Sequence, residues 1–162
     1  MPDLPLAQKK LREARFFCDD LRPARGEEFD YYLSAFLSAA RSTAFRVCFA
    51  LGSWDAVDKW KATRNAADVA FFDGMTTLRN AEIHNEGVPI STTQEAIAMP
   101  LPDAASNPAI YAALFQLGYF SSVKTYIDRR YVDLEKEHVE AVPACERLVS
   151  LLEDLLGYVT KL

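Results

Sequence analysis

Three side chains in this sequence are of the types and spacing that could do chemistry together. They are Arg79, Asn80 and His84, in the run Leu78-Arg79-Asn80-Ala81-Glu82-Ile83-His84-Asn85-Glu86-Gly87. An imidazole gives or takes a proton near neutral pH. A guanidinium is permanently charged and grips a phosphate in a planar, two-pronged fashion. A carboxamide donates and accepts hydrogen bonds and so orients either partner. These groups are sufficient for transesterification of RNA, in which the neighbouring 2′-hydroxyl is the nucleophile and no metal is required. A helix turns about 100° per residue, so Asn80 and His84 lie about 40° apart on one face. Arg79 lies about 140° from His84, on a flank. One helix alone does not set Arg79 beside His84, whereas a second copy packed along the same face would. Taken by themselves, an Arg and a His on one helix serve as well for an ion pair or a cap, and the residues leave that alternative open.

Other chemistries have weaker footing. His84 and His138 are the two histidines, and neither joins a cluster with ligand spacing. Glu82 and Glu86 stand one helical turn apart without a further ligand at suitable spacing. Cys18, Cys48 and Cys145 are far apart, form no C-x-x-C pair and sit among apolar neighbours, as reduced core cysteines do. There is no Gly-rich phosphate loop and no G-x-S-x-G elbow. No metal and no cofactor is therefore expected. Trp54 and Trp60 read as packing residues, with a base-stacking platform as the alternative. Phe29, Tyr32 and Phe36 read as core and Tyr31 as exposed. His138 follows Glu135-Lys136-Glu137 and reads as a surface residue. Arg129-Arg130 reads as a turn between extended segments, with phosphate contact as the alternative.

The elements that must position the motif are mostly helical. Over residues 4–22, Leu4, Leu11, Ala14, Phe17, Cys18 and Leu21 recur at three- and four-residue steps, and Pro23 and Gly26 punctuate the end. The strongest stripe covers residues 27–51, from Phe29 and Leu33 through Phe36, Leu37, Ala40, Ala44, Val47 and Cys48 to Leu51. Arg41 and Arg46 fall off most of it. Gly52 stops that helix and Ser53 can cap the next segment. Residues 54–64 and 66–86 predict two helical segments or one kinked helix, with Gly74 weakening the middle and Asn85-Glu86-Gly87 plus Pro89 stopping it. Residues 87–106 predict a long loop with brief extended pieces, and Asn107-Pro108 a helix to about Leu117. Alternation at Val123, Thr125 and Ile127 predicts a small hairpin within 119–134. Pro143 opens a last helix carrying Leu148, Leu151, Leu152, Leu155, Leu156 and Val159. The expected fold is mainly α: an up-and-down bundle of four to five helices, with a long loop and a small β-hairpin between residues 87 and 134.

A chain of 162 residues, half of them apolar, suits a single domain spanning 1–162 with one core. The net charge is −5, which argues against nucleic-acid binding through the whole surface. The charge is uneven: residues 1–65 carry 11 Lys and Arg against 9 Asp and Glu, and residues 66–162 carry 7 against 14. A local basic patch from the first half is compatible with this balance. The first residues turn charged at Lys9 and Lys10, without the apolar stretch of a signal peptide. Ala44–Leu51 and similar windows are too short to span a bilayer, so a cytoplasmic chain with no membrane partner is expected.

The segment around Arg79 and His84 resembles the signature of the HEPN superfamily: an arginine, four to six intervening residues and a histidine, often with a polar residue directly after the arginine. Here four residues intervene and the polar residue is Asn80. The context is similar as well, with Phe71-Phe72 ahead of the motif and the Ala/Phe-rich run Tyr32–Ser42 upstream. The resemblance covers roughly residues 10–86 and the last helix. It implies a HEPN-like helical bundle, a homodimer with a composite site, and a metal-independent endoribonuclease cleaving single-stranded RNA, of toxin or defence type. In that role His84 moves a proton, Arg79 stabilises charge on the phosphorane and Asn80 orients them. From a different class comes the alternative, a non-catalytic HEPN-like module that binds RNA, a nucleotide or a partner protein. Some HEPN toxins carry a tyrosine two residues after the histidine, where an antitoxin nucleotidyltransferase partner modifies it. Glu86 holds that position here, which puts that form of regulation in doubt.

The separation of Arg79 from His84 around one helix predicts a homodimer in solution. Light scattering at micromolar concentration should return twice the chain mass, and a monomer mass would count against the composite site.

Overall fold

The structure is a computed structural model that describes residues 4–84, 90–98, 124–134 and 137–162. Side chains are described at 4–78, 90–93, 129–132, 134 and 138–162. Five helices and three strands make up these segments: α1 (Pro5–Leu21), α2 (Glu27–Leu51), α3 (Asp55–Ala62), α4 (Ala66–His84), β1 (Ile90–Ala98), β2 (Lys124–Leu134), β3 (Glu137–Glu140) and α5 (Ala141–Val159). The chain divides into two compact units, residues 1–90 with 131–162, and residues 91–130.

The first unit is the helical bundle. Its helices begin and end for local reasons. Pro5 opens α1, where the missing N–H costs nothing. Glu27, Glu28 and Asp30 set negative charge at the start of α2, which complements the positive end of the helix dipole. Gly52 closes α2 in the left-handed region at φ 67°, and the Ser53 N–H reaches back to the Cys48 carbonyl at 3.2 Å. The Ser53 hydroxyl accepts the Asp55 N–H at 3.0 Å, which starts α3. Asn65 then caps α4: its Oδ1 accepts the Asp68 N–H at 2.8 Å while its Nδ2 donates to the Asp68 carboxylate at 2.7 Å. Residues 55–84 therefore form two helices, and α4 runs through Gly74.

The core centres on α5. Ala141, Ala144, Cys145, Leu148, Val149, Leu151, Leu152, Leu155, Leu156 and Val159 are all buried, a face too wide for one neighbour. The helix accordingly packs against α1, α2, α3, α4 and β3. Helix α1 contributes Leu11, Ala14, Cys18 and Leu21, and α2 contributes Phe29, Leu33, Phe36, Leu37 and Val47. Trp60 and Phe72 meet edge to face at 5.1 Å where α3 and α4 join. Of the aromatic series in α2, Phe29 and Phe36 are buried, Tyr32 is half-buried and Tyr31 is exposed.

The strands depart from expectation in placement. Ile90–Ala98 is a nine-residue strand in the stretch expected to be a loop with brief extended pieces. Strand β2 runs unbroken from Lys124 to Leu134, so Arg129-Arg130 lie within a strand and not at a turn. The sheet order is β1-β2-β3. The hairpin partner of β2 is Glu137–Glu140, antiparallel, with Val132 opposite Val139 and Asp133 opposite His138. An alternation rule applied within residues 119–134 does not see a partner this short and polar. Val132 and Leu134 are buried, and His138 is exposed with its ring stacked on Tyr131 at 4.5 Å. The helix expected from Asn107 to about Leu117 lies outside the described residues.

Phe36 has no solvent exposure at the middle of α2. Phe36→Ala should cost about 3–5 kcal/mol. Denaturant unfolding of both chains measures this, and an unchanged midpoint would show that the side chain is not a core element.

Candidate functional site

Arg79, Asn80 and His84 occupy the last turn and a half of α4, with His84 its final residue. Their backbone is helical, and their side chains lie outside the described residues. The part of α4 that precedes them is anchored from three sides. Phe71, Phe72, Met75 and Leu78 are buried at one-, three- and four-residue steps and face the core. Continuing that helix at about 100° per residue puts positions 80 and 84 on the side away from the buried stripe and position 79 in line with it, four residues after Met75 and seven after Phe72. Helices α3 and α5 then hold α4 by charge. Lys61 Nζ of α3 meets the Asp73 carboxylate at 2.6 Å, and Arg147 of α5 meets Asp68 at 2.7 Å while lying over the Phe71 ring at 4.1 Å.

Asp68 is thus held twice, by Arg147 and by its own cap Asn65. The Arg147 hydrogen bond is the main reason its carboxyl titrates below the ordinary value of 3.8, and the Asn65 hydrogen bond acts in the same direction. Trp60 ties α3 to α5 in a similar way, its indole N–H donating to Asp154 at 2.7 Å, and Arg64 pairs with the same carboxylate at 3.0 Å. Trp60 is therefore a core residue with a satisfied N–H. Trp54 differs: it is 45% exposed and meets Phe45 edge to face at 5.2 Å.

The three cysteines are free and buried. Burial pushes the Cys18 and Cys48 thiols up to about 11, and holds Cys145 well above its usual value. Thiols in that state are poor nucleophiles at neutral pH.

A second surface is only hinted at in the sequence. The outer side of α2 carries Ser38, Arg41, Ser42, Phe45, Arg46 and Phe49 around an open groove of about 480 Å³. A neighbouring hollow of about 350 Å³ shares Phe45 and Phe49 and continues to Gly52, Ser53 and Trp54. Phe49 is 81% exposed and Phe45 46% exposed. The Arg41 guanidinium lies over the Phe45 ring at 5.0 Å, and its Nε is shielded from solvent without a hydrogen-bond partner. The one signal of this surface in the sequence is the row Arg41, Phe45, Phe49 at four-residue steps, off the buried stripe.

Among the described residues no helix is long and apolar enough to cross a membrane. Comparisons with protein-family models, curated proteins and solved structures find no match to this chain.

A depressed carboxylate stabilises the fold at pH values above its unfolded-state value, and that contribution is lost as pH falls through its lower folded-state value. Asp68→Asn should therefore melt at lower temperature than the parent at pH 7, with the gap narrowing once the pH drops below about 4. Thermal melts across this range test it. A gap of the same size at pH 3 and pH 7 would show that the carboxylate charge is not its source.

Proposed function

We propose that this chain is a HEPN-like, metal-independent endoribonuclease that cleaves single-stranded RNA as a homodimer. The observation that carries this reading is the Arg79-Asn80-x-x-x-His84 motif at the end of α4, a helix anchored along its earlier turns within a mainly helical bundle. An anchored helix presents its last turns at a defined place, which catalysis by positioned groups demands. The 2′-oxygen of a ribose attacks the adjacent phosphorus and its proton passes to one imidazole. The 5′-oxygen leaves with a proton from the second imidazole of the dimer. Both roles fall to His84, one copy as base and the other as acid. Arg79 stabilises the charge on the phosphorane, and Asn80 orients the reacting groups. The 140° between Arg79 and His84 on one helix is why two copies are needed. In a cell such an activity is of toxin or defence type and is restrained by a separate partner. Because Glu86 stands where modifiable toxins carry tyrosine, restraint by an antitoxin nucleotidyltransferase would need another acceptor.

A second reading is a non-catalytic HEPN-like module that binds RNA, a nucleotide or a partner protein. It is favoured by the same angular separation, since a monomer would keep Arg79 and His84 apart.

Pure protein should cut single-stranded RNA in EDTA and leave a 2′,3′-cyclic phosphate and a 5′-hydroxyl. DNA, which lacks the 2′-oxygen, should resist. Arg79→Ala and His84→Ala should each abolish cleavage while fold and dimer persist. Arg79→Lys should also be poor, because a point charge does not replace the planar fork, and Asn80→Ala should be milder. Activity should fall at both low and high pH. Cleavage that required magnesium, or that survived His84→Ala, would sink the mechanism.

A further inference from the structure

Five cations of the helical unit bridge its elements, whereas others, among them Lys9, Arg12 and Lys59, make no ion pair among the described residues. Arg15, Arg22, Lys61, Arg64 and Arg147 each pair with a carboxylate on another helix. Arg41 and Arg46 on the outer side of α2 make no ion pair among the described residues, although the chain as a whole is acidic. No acidic residue is among the described groove-lining side chains, and three aromatic rings, Phe45, Phe49 and Trp54, stand partly or largely exposed beside the arginines. Leaving a phenylalanine 81% exposed forgoes most of the stabilisation that its burial would contribute. Unpaired guanidinium groups beside exposed rings, in two adjoining hollows of about 480 and 350 Å³, match an anionic ligand with aromatic parts.

We infer that this groove is a track for single-stranded RNA, with bases stacking on Phe49 and Trp54 and phosphates meeting Arg41 and Arg46. The choice of RNA over other anions rests on the proposed function. A second copy of this chain docked here about a two-fold axis would bring the arginines of the two copies together, which disfavours self-association on this face. An unstacked strand supplies what the groove lacks. Each base offers a π-face to a ring without requirement for sequence, and each phosphate offers a bidentate acceptor to an arginine.

The test is fluorescence anisotropy with a labelled single-stranded RNA of about twelve nucleotides at about 50 mM salt. The full chain carries His84→Ala so that the probe stays intact. Arg41→Ala and Arg46→Ala should each lower the slope of log affinity against log salt by about 0.7. Phe49→Ala should weaken binding about fivefold or more. Arg46 and Phe49 are exposed, so circular dichroism and melting of their variants should match the parent. The same strand annealed to its complement should bind more weakly, since its bases are already stacked. The inference is overturned if the parent does not bind the single strand at tens of micromolar, or if the three variants bind as the parent does. It is also overturned if oligoglutamate binds as tightly as RNA, which would mark an acidic-protein site. A halved mass for Phe49→Ala with RNA affinity unchanged would mark a self-association face instead. Binding without cleavage by the His84 parent would sustain this inference and remove the nuclease reading; cleavage unaffected by these variants would do the reverse.

Discussion

The burial of α5 is the constraint on which the rest of the helical unit depends. Ten of its nineteen residues are buried, including five leucines that each gain about 1.5–3 kcal/mol from leaving water. No single neighbour covers a face that wide, so α1, α2, α3 and α4 must all gather round it. The small residues Ala141, Ala144 and Cys145 at its start allow close approach there, and the leucines fill the space further along. The positions of the other helices, and with them the direction in which α4 delivers its last turns, follow from this packing.

Polar contacts then select among the ways such helices could pack. Apolar stripes alone tolerate sliding and rotation, because burial is not directional. Trp60 donating to Asp154, Arg147 gripping Asp68 and Lys61 meeting Asp73 are directional, and each joins one helix to another. The ion pairs are partly exposed and individually add little stability. Their contribution is register: α4 is held at its start by Asn65 and Arg147 and in its middle by Lys61, Phe72 and Met75. The outer side of α2 follows a different rule. Arg41 and Arg46 find no carboxylate there among the described residues, Arg41 instead lies over the Phe45 ring, and Phe49 stays 81% exposed.

Much of the helical framework was determined by the sequence itself, because its causes are local. Apolar residues at three- and four-residue steps mark α1, α2 and α5 to within a few residues of Pro5–Leu21, Glu27–Leu51 and Ala141–Val159. Gly52 ends α2 because only its backbone conformation is involved, and the three cysteines lie buried and unpaired where their apolar neighbours put them. The type and spacing of Arg79, Asn80 and His84 were equally legible, as was their position at the end of a helix.

Only the tertiary structure decided what depends on residues distant in the chain. The hairpin partner of β2 is a four-residue strand that reads as a polar run, because strand pairing is set by backbone hydrogen bonds and not by side-chain pattern. Trp54 and Trp60 read alike in sequence, yet Asp154 lies 94 residues beyond Trp60 and makes it a core residue, while Trp54 stays partly exposed. The same holds for the arginines. Arg15 finds Glu153 across 138 residues and Arg147 finds Asp68 across 79, whereas Arg41 and Arg46 find no ion-pair partner among the described residues. Whether a charge is paired is settled by what folding brings within about 4 Å of it, and no local pattern encodes that.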